Sequence, residues 1–221
     1  MATIVVTGAN RGIGLEYCKQ FLARGDEVIA LCRQSSKELM ALDCRVEEGI
    51  DVSSDESASI IAERLEDVSQ VDVLINNAGL LTSESLEDLD YERIRSQFEI
   101  NTLGPLRVSE ALKGKLGRGA KIAMMTSRMG SVTDNTSGSR YGYRISKAAL
   151  NIASVSLAHD LKSKGVAVAI LHPGYVKTEM TGMSGNIDPE ESVIGLMQRI
   201  DALSLDNSGT FWHSNGEVLP W

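Results

Sequence analysis

The sequence predicts an α/β fold, a three-layer, doubly wound parallel sheet with helices on both faces, in a single domain. Three observations predict it. Short β-branched runs alternate with longer helical patterns from end to end, as parallel strands joined by crossover helices require. The first run enters a glycine-bearing turn and then a helix, in Thr7-Gly8-Ala9-Asn10-Arg11-Gly12-Ile13-Gly14. A length of 221 residues suits one domain with a substantial core and leaves no room for a large second one.

The strand pattern begins at Thr3–Thr7, and a helix follows at about 13–24. A second strand spans 27–32, and Asp51-Val52 ends a third. Ser53 followed by Glu56 has the spacing of a capping box and opens a helix over 54–69. A strand at 71–76 precedes a helical pattern over 88–112, a strand at 121–126, a helix at 143–163 and a strand at 166–171. The segment 179–188, with Met180, Met183, Gly182 and Gly185, reads as a short adaptable lid or simply as a mobile loop. Asp188-Pro189-Glu190-Glu191 reads as a cap, a first helical proline and dipole-matched acids. The last stretch, 210–221, is an extended segment with a turn at Asn215-Gly216 that closes one sheet edge. Its aromatics Phe211, Trp212 and Trp221 read as packing, with a border of the substrate pocket as the alternative. Nothing suggests a linker, a repeat or a low-complexity tract.

A net charge of −8 without a dense Lys/Arg run argues against nucleic acid or an anionic membrane as the main partner. The N-terminus enters a strand directly, and no apolar run is long enough for a bilayer, so a cytoplasmic location is expected. Cys18, Cys32 and Cys44 are odd in number, with no histidine before His159, which does not fit a zinc site. No metal is expected, and the cysteines read as reduced packing residues.

The first turn has the context in which backbone N–H groups and a helix N-terminus hold a pyrophosphate. Gly8, Asn10, Arg11, Gly12, Ile13 and Gly14 are its candidate contacts, although Gly8-x-x-x-Gly12-x-Gly14 departs from the G-x-G-x-x-G pattern. About 20 residues further on, where an acid would accept from a ribose hydroxyl, stand Cys32, Arg33 and Gln34. A guanidinium there suits a 2′-phosphate, so NADP is expected over NAD, with Arg11 a second phosphate ligand. Asp51, beside Val52, can accept from an adenine amino group or serve as a turn residue next to Ser53. Asn76-Asn77-Ala78-Gly79 follows a strand directly and suits either a ligand lying across the sheet crest or an Asn-rich turn.

Tyr143 and Lys147 carry the chemical argument. Four residues apart on a helix, their Cβ atoms lie roughly 5–6 Å apart on one face. A nearby ammonium favours the phenolate and can supply roughly 1–3 pKa units of the shift from about 10 toward 7 that suits a general acid. Pro105 has no N–H for the carbonyl of Asn101, which leaves that oxygen free to hold a water linking Lys147 to solvent, or merely kinks the helix. Ser127, with Ser131 as its rival, ends a strand where a hydroxyl can donate to a substrate carbonyl. His172-Pro173-Gly174-Tyr175-Val176-Lys177-Thr178 ends the next strand, with a glycine that permits close approach and a threonine that can reach a phosphate or amide. No histidine sits in a nucleophile-elbow context, so a hydrolase triad finds no support.

Taken in order, the run from Thr7 to Gly14, Asn76 to Gly79, Asn101, Ser127, Tyr143 with Lys147, and Pro173-Gly174 resemble the short-chain dehydrogenase/reductase family. The resemblance covers almost the whole chain. The short length, the run from Ser127 to Ser131, the string from Tyr143 to Asn151 and the ending Leu219-Pro220-Trp221 look like its C-factor-like carbonyl reductase branch. It implies a Rossmann domain in which Tyr143 is the catalytic acid, Lys147 lowers its pKa and binds the nicotinamide ribose, Ser127 orients the substrate and Asn101 supports a water relay. It further implies cofactor contacts from Asp51, Asn77, Ala78, Gly79, Val176 and Thr178, with Pro173-Gly174 completing the motif set. The interval from Ser127 to Tyr143 is about three residues longer than usual in the family, which implies an insertion at 134–139 beside the active site. Helices 88–112 and 143–163 form dimer interfaces in the family; their patterns here do not decide for or against a homodimer.

The resulting expectation is NADPH-dependent reduction of an apolar aldehyde or ketone, with a small-molecule carbonyl as the partner. The alternative is an NADP-binding regulatory or signalling protein with little turnover. A sugar-nucleotide epimerase lacks room for its C-terminal domain.

Overall fold

The computed structural model describes residues 1–221. Strands β1 (Thr3–Thr7), β2 (Glu27–Leu31), β3 (Arg45–Glu47), β4 (Val73–Asn76), β5 (Lys121–Met125), β6 (Ala167–His172) and β7 (Phe211–His213) form one sheet. Its order is β3-β2-β1-β4-β5-β6-β7, and every pair is parallel. Helices α1 (Gly12–Ala23), α2 (Lys37–Met40), α3 (Ser57–Arg64), α4 (Tyr91–Phe98), α5 (Gly104–Leu112), α6 (Tyr141–Leu161) and α7 (Pro189–Asp201) flank it.

The central strands β1, β2, β4, β5 and β6 are mostly apolar because both faces are covered. Ile4 and Val6 of β1 enter one core with Tyr17 and Phe21 of α1 and with Val193, Leu196 and Ile200 of α7. Val5 points to the other, with Ile61 of α3, Val108 and Leu112 of α5, and Leu150 and Leu161 of α6. Each such side chain contributes about 1.5–3 kcal/mol on burial. All three cysteines are free and pack on the α1 side. From β1 the chain winds outward through β2 and β3, then returns to pair β4 on the other side of β1. That reversal opens a crevice at the carboxyl ends of β1 and β4, where ligands of such sheets bind.

Several local expectations are corrected. The third strand is Arg45–Glu47, and Asp51 and Val52 lie in the turn beyond it. The Ser53 capping box does not form: Ser53 turns back to Asp51, with Ser53 N and Oγ 3.0 and 2.7 Å from Asp51 Oδ1, and α3 starts after Glu56. The helical stretch expected over 88–112 is interrupted by a π-helical turn, Glu99–Leu103, in which Gly104 N–H bonds the Glu99 carbonyl ahead of Pro105. Asp188 precedes α7 but leaves it uncapped; its carboxylate sits 3.2 Å from Lys177 instead. Helix α2 was not foreseen, although Ser36 caps it by accepting from Leu39 N–H at 3.1 Å. At the chain end β7 closes the sheet edge beside β6, a turn follows with Gly216 N–H on His213 O at 2.9 Å, and Trp221 stacks on buried Phe211 at 5.5 Å.

Candidate active site

At the crevice, β1 and β4 are stitched together by side chains from their own ends. Thr7 Oγ1 accepts from the backbone N–H groups of Asn77 and Ala78, both at 3.0 Å. The Asn77 amide donates to the carbonyls of Thr7 at 3.0 Å and Gly8 at 3.2 Å. Gly8 adopts φ +64°, and a Cβ there would stand 2.8 Å from Ala78 Cα, so only glycine lets the two turns meet.

The crevice widens into a cleft of ≈ 290 Å³. Gly8, Asn10, Arg11, Gly12, Ile13, Arg33, Asp51, Val52, Asn77, Ala78, Gly79 and Thr178 line it, which brings together most of the expected cofactor contacts. Six lie off its wall, among them Tyr143 and Lys147, which stand at the ends of β5 and α6. Gly14 packs under the turn against Gly8 O and the Asn77 amide. Pro173 gives its carbonyl to Ser192 Oγ at 2.7 Å and Ser214 Oγ at 3.1 Å; Gly174, at φ +91°, packs against Ile187 and His213; Val176 is buried and bridges to Ile187. These residues brace the loop between β6 and α7 against β7. Conversely, Leu31, Ile50, Leu80 and Ile100 line the cleft without having been foreseen, and Glu179 and Met180 line it from the segment expected as a lid or mobile loop. Leu31 and Ile50 adjoin the polar residues that were singled out, so the apolar residue beside each was the available signal.

Charges at the rim are arranged around this cleft. The hydrogen bond from Ser53, with help from the Arg33 guanidinium, holds the Asp51 carboxyl below the usual carboxylate range. Arg11 reaches across the mouth to Glu179 at 2.6 Å, both side chains 65% exposed. The adjoining Met180 methyl lies against Gly79. Polar N–H-bearing turns, two arginines and apolar walls fit a dinucleotide phosphate better than an uncharged ligand.

The chemical residues converge at the ends of β5 and α6. Ser127 caps a 3₁₀ turn, Arg128–Gly130, by accepting from Met129 N–H at 3.2 Å, and it lies beside the phenol of half-buried Tyr143. Ser131 instead accepts from Asp134 N–H at 3.1 Å, so geometry favours Ser127 as the partner of Tyr143. Lys147, almost fully buried, holds its ammonium 5.7 Å from the Tyr143 ring centre and donates to Met125 O at 2.8 Å. Asn101 spends its amide on Leu80, with N–H and C=O each at 2.8 Å, and on Ser146 Oγ at 3.0 Å.

Two expectations change here. Burial pushes the Tyr143 phenol up to about 12, against the smaller opposing pull of the Ser127 hydrogen bond and the Arg140 charge. Lys147 therefore does not bring the phenol toward 7; burial pushes the lysine itself down to about 7, which weakens the charge it can offer. Its hydrogen bond goes to Met125 rather than toward the Asn101 carbonyl.

The helix bearing Tyr143 is held by a polar network that the sequence did not disclose. Thr126 Oγ1 donates to Asn151 Oδ1 at 2.6 Å and Thr102 Oγ1 to Ser146 O at 2.9 Å. Gly130 lets the 3₁₀ turn press on α6, since a Cβ there would sit 2.7 Å from the Lys147 carbonyl carbon. Buried Glu84 accepts from Gly142 N–H at 3.2 Å and from the Gln97 amide at 3.1 Å, and so fixes the first turn of α6.

Residues 2–187 match the family model described as short chain dehydrogenase. A Rhodococcus sp. (strain AD45) protein, 1-hydroxy-2-glutathionyl-2-methyl-3-butene dehydrogenase, is 44% identical over 226 residues, covering 100% of each chain. The C-signal protein of Myxococcus xanthus is 46% identical over 154 residues, 68% of this chain and 93% of that one. Among solved structures, NADPH-bound carbonyl reductase from chicken fatty liver superposes with a TM-score of 0.89 at 29% identity, over 100% of this chain and 99% of that one. The carbonyl reductase Sniffer of D. melanogaster gives 0.91 at 30% over 100% of each. These likenesses do not favour the regulatory alternative. With Ser127, Tyr143 and Lys147 brought together at the ends of β5 and α6, the chain belongs to the short-chain dehydrogenase/reductase family, in its C-factor-like branch, and is an oxidoreductase acting on CH–OH and C=O groups.

Proposed function

We propose that the protein reduces apolar aldehydes or ketones to the alcohols, using NADPH. When bound, the cofactor supplies the hydride, from nicotinamide C4. Ser127 donates to the substrate oxygen and stabilises its developing charge, and Tyr143 gives that oxygen its proton. The single observation that carries this reading is the convergence of Ser127, at the carboxyl end of β5, with Tyr143 and Lys147 of α6, the Lys147 ammonium 5.7 Å from the Tyr143 ring centre and tied to Met125 O at 2.8 Å. One carbonyl oxygen can meet both hydroxyls there. A phenol whose pKa lies well above 7 is protonated at neutral pH and can act as the acid.

Lys147 holds the nicotinamide ribose and keeps the phenol's surroundings positive whenever it is charged. Asn101 is a positioning residue, clamping Leu80 and α6 together. Arg33 and Arg11 hold phosphate, Arg33 the 2′-phosphate that separates NADP from NAD. The turns at Gly8 to Gly14 and Asn77 to Gly79 support the rest of the dinucleotide, with Thr178 packed beside Gly12. Residues 179–188 act as the lid, Met180 lying over Gly79. A homodimer through the outer face of α6, where Ile145 and Ile152 are exposed, is compatible with this reading. No helix is long and apolar enough to cross a membrane, and the proposed location is the cytoplasm.

The test is a panel of aldehydes and ketones followed by NADPH absorbance, repeated with NADH. Reduction with NADPH favoured over NADH supports the reading, and a preference for NADH removes the role given to Arg33.

A further inference from the structure

We propose that Asn151 is a positioning residue for carbonyl reduction, one that brackets Ser127 and sets where its hydroxyl stands relative to Tyr143. The inference rests on the reductase reading above and adds a residue to that site.

Tyr143, Lys147 and Asn151 follow one another at four-residue intervals along α6, so all three project from one face of the helix. Asn151 is buried and does not line the cofactor cleft. Its amide bonds on both sides of Ser127 instead. Oδ1 accepts from Thr126 Oγ1 at 2.6 Å, one residue before the serine, and Nδ2 donates to Gly130 O at 3.4 Å, three residues after it. The Gly130 carbonyl can only accept, which fixes the amide with its NH₂ toward the turn and its oxygen toward Thr126. No other side chain of α6 brackets the serine; Arg144 reaches Met129 O at 3.4 Å and nothing ahead of Ser127.

The segment so held is short and tightly packed. Thr126 N–H is already in the sheet, on Leu171 O at 2.8 Å, and Gly130 N–H closes the 3₁₀ turn on Ser127 O at 2.8 Å. A Cβ at Gly130 would meet Ala148 N at 2.9 Å, so the turn lies directly on α6. Thr126 Oγ1 has a second acceptor in Lys147 O at 3.3 Å, whereas Gly130 O has no donor but Asn151. What Asn151 alone secures is thus the far end of the turn that begins at Ser127. Ser127 Oγ accepts from Met129 N–H at 3.2 Å, which leaves the hydroxyl proton free for a substrate oxygen. Because Asn151 rides on the same helix as Tyr143, it fixes the serine to the acid as well as to the sheet.

The test is a double-mutant cycle. For a carbonyl compound that wild type reduces in the panel above, kcat is measured for wild type, Asn151→Ala, Ser127→Ala and the double variant, each normalised to the sites that bind NADPH in a fluorescence titration. Asn151→Ala is expected to lower kcat by about tenfold to 10²-fold, the scale of a misplaced catalytic group, with the Kd for NADPH within about twofold of wild type. In the Ser127→Ala background the same replacement is expected to cost less than about threefold, because no hydroxyl is left to misplace. Asn151→Asp keeps the size and the acceptor for Thr126 but loses the donor to Gly130 O. It repeats the cycle with the least disturbance to packing and is expected to show the same non-additivity. An equal loss in both backgrounds, or fewer NADPH-binding sites with kcat per site unchanged, makes Asn151 merely structural and overturns its role while the reductase reading stands. Wild type that binds NADPH and reduces no member of the panel overturns that reading and the inference with it.

Discussion

The ammonium of Lys147 sits 5.7 Å from the centre of the Tyr143 ring and is tied to the Met125 carbonyl at 2.8 Å. One turn of α6 separates the two residues, and the end of β5 anchors the lysine. Burial acts on both in the direction that removes charge, raising the phenol and lowering the ammonium.

The pH dependence of activity follows from that. With its phenol pushed up to about 12, Tyr143 is protonated through the neutral range and ready to act as an acid. Carbonyl reduction is therefore expected to hold steady or rise as pH falls from 9 to 7. Alcohol oxidation, which needs the phenolate, is expected to climb with alkaline pH. Initial rates in both directions across that range check this, and an oxidation rate already at its plateau by pH 7 would contradict it.

Arg11 is expected to exchange Glu179 for cofactor phosphate. The pair is exposed and worth no more than about 1 kcal/mol. Glu179→Gln should thus tighten NADPH binding two- to fivefold at low ionic strength, with the gain vanishing at high salt. NADPH fluorescence titrations at two salt concentrations measure it. Weaker binding in the variant would mean that Glu179 supports the cofactor instead of competing with it.

Glu84 holds Gly142 N–H and the Gln97 amide without touching the reacting atoms. Removing it in Glu84→Ala leaves buried donors without partners, at about 1–3 kcal/mol of stability. A positioning role further predicts that kcat falls, because Tyr143 begins one residue beyond the anchored turn, whereas the KM for NADPH stays near wild type. Denaturant melts combined with steady-state kinetics separate the two effects. Lost stability with unchanged kcat would reduce Glu84 to a structural residue.

His172 ends β6 with its Nδ1 buried and unpartnered, edge-on to His213 at 4.8 Å. Burial, and then the nearby His213 and Arg128, push it down to about 3. Its folded pKa lies below the unfolded value near 6.5, so the unfolded chain takes up the proton first. Stability is expected to be complete above pH 6.5 and to decline as pH falls through the window down to about 3, by about 1.4 kcal/mol per unit at most from this group. His172→Gln should flatten that acid limb in thermal melts, and an unchanged slope would assign it to other groups.

The alternation of β-branched runs and amphipathic stretches made the sheet legible, because both-face burial forces apolar strands such as Thr3–Thr7. Strand β3 was misplaced because Arg-Val-Glu is short and polar, and it forms by edge pairing with β2. The glycine turn, Asn77 to Gly79 and Tyr143 with Lys147 were legible as local patterns. Pro173, Gly174 and Val176 gave an equally clear pattern, but their place is set by contacts with Ser192, Ser214 and Ile187 from distant elements. The same limit applies to Glu84, which lies 58 residues from the Gly142 N–H it holds. The phenol's pKa was misjudged because spacing reveals a neighbouring charge but not the desolvation that opposes it.

The central claim is that Tyr143 delivers the proton during carbonyl reduction. Tyr143→Phe keeps the ring and removes only the hydroxyl. Its kcat for a carbonyl substrate of the wild-type protein, measured by NADPH absorbance alongside NADPH binding, is expected to fall by at least 10²-fold, the usual scale of general-acid catalysis, with binding little changed. A variant that binds NADPH and retains most of its turnover would contradict the account.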